Sequence, residues 1–408
     1  MIDFEHSKAI ENARQMIHMM ADQTMRPISR EYDEREHEEP TEWHNLMWSV
    51  SQGSEVGFGG GKSDKKDKGP SERHMASTVT IEELSWGDAG LYLSIPNAGL
   101  GGAAVAAAGT PEQRERFLKR FSEGEPKWAA MAITEPGAGS DSAAITSTAR
   151  REGDQWVLNG TKIFCTSGQR ALDKSKGFVV VWATLDKSAG RAGIKAFIVE
   201  AGTPGVTVTK VEDKLGIRAS DTAQLVLEDC RIPLDNLLGS AEVKPQSSEG
   251  FKGVMATFDA TRPAVAASAL GIGRAAVDFV REALDKAGVV IRYDAPLSKM
   301  TALERDFMDM EANLQAARLL TWRASWMMDR GMQNNLEASM CKAKAGLAVT
   351  LVTQKAVELL GPLGYSRKLL LEKWMRDAKI NDIFEGTQQI NLMIVARRIL
   401  GYSNKELS

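Results

Sequence analysis

The sequence predicts an α+β multidomain protein in which a helical N-terminal domain and a C-terminal helical bundle flank a central antiparallel β-barrel or sandwich. Residues 126–240 carry short β-branched and aromatic runs separated by turns, whereas both flanks carry apolar residues at helical spacing. The length of 408 residues also indicates two or three domains rather than a single core. We therefore expect domains at residues 1–125, 126–240 and 241–408.

The N-terminal domain is predicted to be helical. Its opening, "MIDFEHSKAIENARQMIHMM", places charges within an apolar periodicity, which predicts an amphipathic helix rather than an export signal, and hence a cytoplasmic protein. Apolar residues around "TVTIEELSW" and the small residues of "SIPNAGLGGAAVAAAG" come next. In "TPEQRERFLKRF", Thr110 and Pro111 are typical of a helix start.

The segment "GFGGGKSDKKDKGPSER" is predicted to be a charged surface loop. Gly61, Lys62 and Ser63 match the end of a phosphate-binding P-loop. However, Val56 stands where the first glycine is needed, and no strand precedes it. The sequence therefore disfavours nucleotide hydrolysis.

The composition argues against several classes of protein. The net charge is −3, with 51 basic and 54 acidic residues interspersed, so no basic surface for nucleic acid is predicted. Cys165, Cys230 and Cys341 are far apart and form no Cys/His cluster, which argues against a zinc site and against a disulfide framework. No stretch approaches the ~18 apolar residues that a membrane span requires. We expect no metal, no nucleic acid and no membrane among the partners.

The central region is predicted to form strands, and the region after it helices. The predicted strands are "QWVLNG", "TKIFCTSG", "GFVVVWATL", "IKAFIVEAGTPG", "VTVTKV" and "AQLVLEDCRIP". After "GFKGVMATFDATRP" the helical period returns near residues 263–288, 297–330, 335–360 and 367–379, and a terminal helix follows. Four or more helices of this length predict a bundle.

Two stretches of the central region have two possible interpretations. In "TEPGAGSD", Gly137, Gly139 and Ser140 either form a loop that ends a strand or let backbone N–H groups and a hydroxyl approach a phosphate. In "TKIFCTSG", strand alternation places Phe164 and Thr166 on one face. There they would either contact a planar cofactor or pack in the core.

Of the two carboxylates in "INDIFEGTQQIN", Asp382 and Glu385, the second stands out because it follows an apolar pair and precedes a glycine. A glutamate just before a helix is usually a solvated residue that offsets the helix dipole. Here Ile383 and Phe384 precede it, so partial desolvation would raise its pKa and make it a usable base. Gly386 allows a tight turn, and Thr387 could cap the helix that follows.

Five ordered motifs together carry a family resemblance. They are "AMAITEPGAGSD", "TKIFCTSG", "FDATRP", "KWMRDAKI" and "IFEGTQQI". With these motifs the sequence resembles the acyl-CoA dehydrogenase family from roughly residue 80 to residue 400. The resemblance implies FAD held between the β-domain and the bundle. It also implies dehydrogenation of an acyl-CoA to the trans-2-enoyl-CoA, with an electron-transfer flavoprotein as electron acceptor.

The resemblance also implies roles for individual residues. Glu385 matches the base that removes the pro-R α-proton while the β-hydrogen leaves as a hydride to flavin N5. The backbone N–H of the same residue and a flavin ribityl hydroxyl would stabilise the carbonyl oxygen. Some relatives supply the base from the position of Thr261, which cannot serve here. The implied FAD contacts are Met131, Ile133, Thr134, Gly139, Ser140, Phe164, Thr166, Thr387 and Gln389, and the implied substrate contacts are Ser140, Asp259, Arg262, Gly386 and Arg397.

The sequence departs from the family where relatives bind the adenosine end of FAD from a neighbouring subunit. An Arg-x-x-Phe-Gly motif and a later Gln are replaced by Val290, Tyr293, Asp294 and Thr301. A second patch, usually Gln followed by Gly-Gly, is here Glu358 and "GPLG". Acids beside a pyrophosphate should weaken its binding, unless Arg292 substitutes for the missing arginine.

These departures bear on assembly. We expect a homodimer with weakened FAD retention, or a heteromer whose partner restores the arginine, rather than an ordinary homotetramer. They also leave open an alternative function, that of a non-catalytic or half-site subunit of a heteromeric complex.

The sequence says little about the length or shape of the acyl group that the substrate would carry. Gly99, Gly102 and Ala103 fall where the acyl pocket of the family ends, and they could leave room for a long or bulky acyl group. Close helix packing explains the same residues and is the preferred interpretation. Gln333 replaces an arginine that some relatives use near the CoA adenine.

Overall fold

The computed structural model describes residues 5–53, 71–243, 249–402 and 406. Within these ranges it confirms the predicted fold class, with helices at both ends of the chain and a sheet between them. The comparison of Gly61, Lys62, Ser63 and Val56 with a P-loop lies outside the described residues. The exact domain limits stay a prediction.

The N-terminal part is helical at the four segments that the sequence predicts, and two further helices lie between the first and the second of them. Their bounds are α1 Lys8–Met20, α2 Arg26–Glu34, α3 Thr41–Gly53, α4 Arg73–Ser94, α5 Gly99–Ala108 and α6 Pro111–Leu118. Helix α6 begins with a capping box: Thr110 accepts from the Gln113 N–H, and the Gln113 side chain accepts from the Thr110 N–H. Helix α4 is kinked at Asp88, whose φ is −166°.

The central strands form one curled seven-stranded sheet. Their bounds are β1 Ala129–Ala132, β2 Thr148–Glu152, β3 Gln155–Thr166, β4 Phe178–Thr184, β5 Ile194–Glu200, β6 Val206–Val211 and β7 Thr222–Pro233. The order is β1-β4-β2-β3-β7-β6, and β5 pairs with β4. Most pairs are antiparallel, as predicted, but β1 and β2 both run parallel to β4. "QWVLNG" and "TKIFCTSG" belong to a single strand, β3, rather than to two.

Each face of the sheet is covered by its own hydrophobic core. One core contains Cys165 and Cys230 together with Trp156, and it is built almost entirely from the sheet and its loops. The other contains Met131 and Ile133 and packs against α5 and α6. All seven residues of β4 are therefore buried.

The C-terminal bundle has six helices within the described residues. Their bounds are α7 Glu249–Lys286, α8 Ala302–Asp329, α9 Asn335–Leu360, α10 Pro362–Tyr365, α11 Leu371–Ala378 and α12 Gln388–Leu400. Cys341 of α9 is fully buried in the bundle core. The prediction that α7 begins near Pro263 is wrong, because the helix starts at Glu249 and continues through the proline. Proline removes one helical N–H donor, that of residue 263, but the helix continues on both sides of it.

One part of α7, Thr257–Lys286, is long and apolar enough to cross a membrane, contrary to the expectation that no segment is. However, 72% of its apolar window is buried inside the fold. Packing in the core of the bundle accounts for its composition.

The "KWMRDAKI" motif joins the bundle to both other parts of the chain. Lys373, which is 1% exposed, bridges Asp88 of α4 at 2.7 Å and Asp377 at 2.6 Å. Asp377 also accepts from the backbone N–H of Ile217, which follows β6. Next to this contact, a Cβ on Gly216 would lie 2.5 Å from the backbone of Arg376. The three parts are therefore held together by one buried network of charges.

Candidate active site

Glu385 lies in a strained turn between a 3₁₀ helix, Lys379–Asp382, and α12. Its φ is +55° and that of Gly386 is +88°. Left-handed backbone at a residue other than glycine costs about 1–3 kcal/mol and persists where the surroundings enforce it. Thr387 caps α12 by accepting from the Ile390 N–H at 3.3 Å, as the sequence predicts. The turn directs the Glu385 carboxylate toward α7.

Helix α7 supplies three polar side chains to this turn. The Thr261 hydroxyl donates to Glu385 Oε2 at 2.9 Å. Arg262 pairs with Asp259 at 2.6 Å, and its guanidinium lies close to Gly386. The structure thus brings together Glu385, Gly386, Asp259 and Arg262, four of the residues singled out from the sequence.

The electrostatics of the site favour a carboxyl group that can exchange a proton. Burial raises the pKa of Glu385 above its ordinary value, while the hydrogen bond from Thr261 and the positive charges of Arg262 and Lys342 act in the opposite direction. A carboxylate with a raised pKa is a stronger base than one in water. The site therefore has the properties that proton abstraction requires.

The motifs of the β-domain meet at the ends of β1 and β3. The Ile163 N–H donates to the Thr134 carbonyl at 2.9 Å, and the Lys162 ammonium donates to the Ile133 carbonyl at 3.1 Å. Cys165 donates to the Met131 carbonyl at 3.5 Å. These bonds bring the segments that carry the predicted contacts Met131, Ile133, Thr134, Phe164 and Thr166 next to each other.

Phe164 is exposed on this edge. Its side chain is 59% exposed, and its φ is +57°. The pairing of β3 with β7 shifts register between Lys162 and Cys165, so simple alternation, on which the prediction for Phe164 and Thr166 was based, does not hold there. Core packing, the alternative for Phe164, is excluded by its exposure.

The "TEPGAGSD" loop is fixed at its base and open at its tip. Glu135 accepts from the N–H groups of Thr146 at 2.6 Å and Ser147 at 3.0 Å and from Lys162 at 2.7 Å. Although burial opposes ionisation, these bonds, led by that of Lys162, hold the pKa of Glu135 at about 2. Gly139 and Ser140 are exposed beyond this anchor. Their backbone is free to approach a phosphate.

Helix α7 links the glutamate turn to the β-domain. Its Thr261 bonds Glu385, and its Phe258, one turn earlier, packs against the core that contains Met131 and Ile133. The predicted base and the predicted flavin residues are therefore connected through one helix.

The residues present fit an FAD. An exposed aromatic ring at Phe164 is suited to covering a planar ring system, and an open glycine loop is suited to a diphosphate. Two buried polar atoms beside the glutamate turn, Arg262 Nε and Asn391 Oδ1, have no hydrogen-bond partner among the described residues. Such atoms indicate that a polar ligand completes the site.

Other residues proposed from the sequence lie away from this centre. Arg397 is in the last turn of α12, about 15 Å along the helix axis from Thr387, and Gln389 is exposed in its first turn. Arg292 forms a two-pronged pair with Glu304, at 2.6 and 2.7 Å. In this chain its guanidinium is engaged, and the geometry does not offer it as a replacement arginine.

The glycines after Pro96 serve packing. A Cβ on Gly99 would lie 3.0 Å from the Ala129 carbonyl oxygen, and one on Gly102 would lie 2.5 Å from the Ala98 Cβ. The close packing that the sequence analysis preferred is thus confirmed at these two positions. Neighbouring atoms therefore take the space into which a side chain at either position would extend.

The sequence analysis missed two side chains of the site. The Lys342 ammonium of α9 and the Asn391 amide of α12 both donate to the Gly386 carbonyl, at 2.6 and 2.8 Å. Both residues are buried. Lys342 and Lys344 both interrupt the otherwise small and apolar run "ASMCKAKAGLAV", so the sequence alone does not distinguish the lysine of the site from the other.

Three family models match consecutive parts of the chain. They are described as the acyl-CoA dehydrogenase N-terminal domain at residues 7–125, middle domain at 130–230 and C-terminal domain at 248–400. Together they cover both sides of the site described above.

Full-length relatives agree with these matches. The chain is 38% identical to a mitochondrial short-chain specific acyl-CoA dehydrogenase of Bos taurus, over 95% of this chain and 89% of the relative. It is 34% identical to the short-chain specific acyl-CoA dehydrogenase of Clostridium acetobutylicum, over 98% and 100%.

Solved structures share the fold over nearly the whole chain. Butyryl-CoA dehydrogenase from Megasphaera elsdenii superposes with a TM-score of 0.83 at 32% identity, covering 98% of this chain and 100% of that chain. A chain in a structure described as an electron transferring flavoprotein of Acidaminococcus fermentans gives the same TM-score, identity and coverage.

Proposed function

This chain belongs to the acyl-CoA dehydrogenase family and is an FAD-dependent oxidoreductase, and we propose that Glu385 is its catalytic base and a short-chain acyl-CoA its substrate. The observation that carries the proposal is the Glu385 carboxylate, which burial makes more basic and which Thr261 holds beside the Asp259–Arg262 pair. Thr261 itself has no carboxylate to offer.

The roles of the chain in the reaction follow from these contacts. Thr261 occupies Oε2 of Glu385, so we assign the α-proton of the thioester to Oε1. When bound, FAD supplies the acceptor for the hydride that leaves the β-carbon. Phe164, Thr166 and the loop carrying Gly139 and Ser140 would hold that cofactor against the open edge of β1 and β3.

Removal of the α-proton leaves negative charge on the thioester oxygen, and a donor must be in place for it. The Glu385 N–H has no hydrogen-bond partner within residues 5–53, 71–243 and 249–402, whereas the neighbouring Phe384 N–H donates to the Ile380 carbonyl at 3.1 Å. An orphaned N–H in the turn of the base supports its assignment as the donor to this oxygen.

The proposal of a short acyl chain rests on packing and on relatives. The space beside the Cα atoms of Gly99 and Gly102 is taken by neighbouring protein atoms. The bovine and clostridial relatives are both named as short-chain specific enzymes. We expect kcat/KM to be highest for butyryl-CoA, intermediate for octanoyl-CoA and lowest for palmitoyl-CoA in a dye-coupled assay. The reverse order would contradict the short-chain assignment.

Electron transfer and assembly belong to the same proposal. The fold shared with a chain in the flavoprotein structure of Acidaminococcus fermentans supports an electron-transferring flavoprotein as the physiological acceptor. A homo-oligomer or heteromer, and a cytoplasmic location, stay predictions from the sequence.

Replacement of the base tests the central proposal. We expect Glu385→Gln to lower kcat by at least ~10²-fold, the usual scale for removal of a general base, with flavin content and melting temperature unchanged. Glu282→Gln, an exposed α7 residue paired with Lys286, is the matched control and should turn over as the parent does. Retained turnover in E385Q with normal flavin content would remove Glu385 from this role.

The alternative function, a non-catalytic or half-site subunit, predicts a visible absorption spectrum different from that of the FAD-loaded enzyme. Near one flavin per purified chain supports the enzyme, whereas a colourless protein that gains turnover only with a second polypeptide supports the subunit.

A further inference from the structure

Lys342 is a buried cation that the roles above leave unused. It lies on α9, and its side chain is 1% exposed. The residues on either side of it, Cys341 and Ala343, are buried as well. An ammonium removed from water is costly, by several kcal/mol in real proteins, unless fixed polar partners compensate. The partners of Lys342 therefore indicate what it does.

Its hydrogen bond goes to the turn of the base. The Lys342 ammonium donates to the Gly386 carbonyl oxygen at 2.6 Å, and the Asn391 amide donates to the same oxygen at 2.8 Å. Two donors use both lone pairs of this carbonyl. Glu385 and Gly386 are consecutive residues with left-handed backbone. The carbonyl group of the second of them is held by one side chain from α9 and one from α12, and this fixes the strained turn.

The charges around Lys342 come from three elements. Glu385 of the turn and Asp382 of the 3₁₀ helix face it with negative charge, and Arg262 of α7 faces it with positive charge. Burial lowers the pKa of Lys342 to about 8, against the opposing effect of the two carboxylates. The lysine is therefore charged at neutral pH, and its charge in turn favours the ionised form of Glu385.

We propose that Lys342 is a positioning residue for the base, since its ammonium fixes the Gly386 carbonyl and thereby the backbone of Glu385, and its charge favours the ionised carboxylate that then accepts the α-proton. The inference rests on the proposed role of Glu385. Lys342 does not touch the substrate, and no proton passes through it. Its effect is on where the carboxylate lies and on the pH at which it works.

The experiment is Lys342→Met in the FAD-loaded enzyme, with Lys344→Met as the matched control. Lys344 lies two residues further along α9, where its ammonium donates to Asn313 of α8 at 2.7 Å, outside the site. In K342M we expect kcat to fall ~10- to 100-fold, the scale of a misplaced catalytic group, with KM and flavin content unchanged. The acid limb of the kcat profile should move to higher pH, because the carboxylate loses a neighbouring cation. K344M should show neither change.

Lys342→Gln separates the two effects and covers the case in which K342M fails to fold. Its amide can still donate to Gly386 but carries no charge, so we expect the acid limb to stay shifted while kcat at alkaline pH recovers toward the parent value. A parental pH profile in K342M, or in K342Q if K342M does not fold, overturns the inference. So does a loss of kcat that only follows loss of flavin. If E385Q retains turnover, the proposed function itself fails; if E385Q is inactive and K342M behaves as the parent, only the role of Lys342 fails.

Discussion

The hydroxyl of Thr261 has a measurable role, although the residue cannot be the base. Its hydrogen bond to Glu385 Oε2, at 2.9 Å, stabilises the ionised carboxylate. In Thr261→Val the shape is nearly kept and this bond is lost, so the pKa of Glu385 should rise further. Because the base works only when ionised, we expect kcat/KM at acidic pH to fall roughly three- to tenfold, the value of one hydrogen bond.

The sign of the effect makes this prediction specific. Activity should converge with the parent as pH rises past the acid limb, where the carboxylate is ionised in both proteins. Thr261→Ser retains the hydroxyl and should keep the parental limb. A uniform loss across the pH range in T261V would show that the threonine acts through packing.

Individual residues also show what the sequence could and could not reveal. Glu385 could be singled out because it follows an apolar pair, precedes a glycine and matches the base that the family resemblance implies. Lys342 was not, since its partner lies 44 positions later and only the fold joins them. Arg292 was considered a replacement arginine because its charge is visible in the sequence, whereas its pairing with Glu304 is not.

Helix α11 carries a prediction about stability. Lys373 is buried between Asp88 and Asp377, so Lys373→Met would leave two carboxylates without their cation. Breaking a buried ion pair in this way costs about 3–5 kcal/mol. We expect unfolding by urea at correspondingly lower concentration. Lys368→Met, an exposed neighbour, should change the free energy of unfolding by less than about 0.5 kcal/mol. Equal stability of the two variants would contradict a structural role for this charge network.

Elements were predictable where a local rule decided them. Thr110 and Pro111 predicted the start of α6, where the structure has a capping box, and the period of 3.6 residues identified α8 and α9. The start of α7 was misplaced because Pro263 is normally a helix breaker, and here the helix runs through it. The register shift in β3 before Cys165 was invisible, since a bulge depends on the partner strand.

In an oligomer of this chain, the contact to the adenosine end of a neighbour's FAD is predicted to be weak, and one substitution should strengthen it. Val290 is 73% exposed, at the position where the family resemblance implies an arginine for a neighbour's FAD. The two nearby arginines are already engaged, Arg281 with Glu311 and Arg292 with Glu304. If a second copy faces this surface, Val290→Arg should tighten FAD binding by about 1.5–3 kcal/mol, or roughly one to two decades in Kd. Val290→Gln, which has no charge, should not.

Native mass measurement with flavin quantified on the same sample completes this test. We expect a homodimer or a heteromer that loses flavin on dialysis, and V290R should lose less. A parental homotetramer that holds four FAD after dialysis would show that the missing arginine is not needed.

The three buried thiols have a practical consequence. Burial raises the pKa of Cys165 and brings the pKa of Cys230 and of Cys341 to about 12, so none presents a thiolate to a reagent while the native packing holds. Two of them lie in the core of the sheet, and the third lies in the core of the bundle. The rate at which each thiol is alkylated therefore reports how often its own core opens. Alkylation thus measures local opening of the sheet core and of the bundle core separately, without an introduced probe residue.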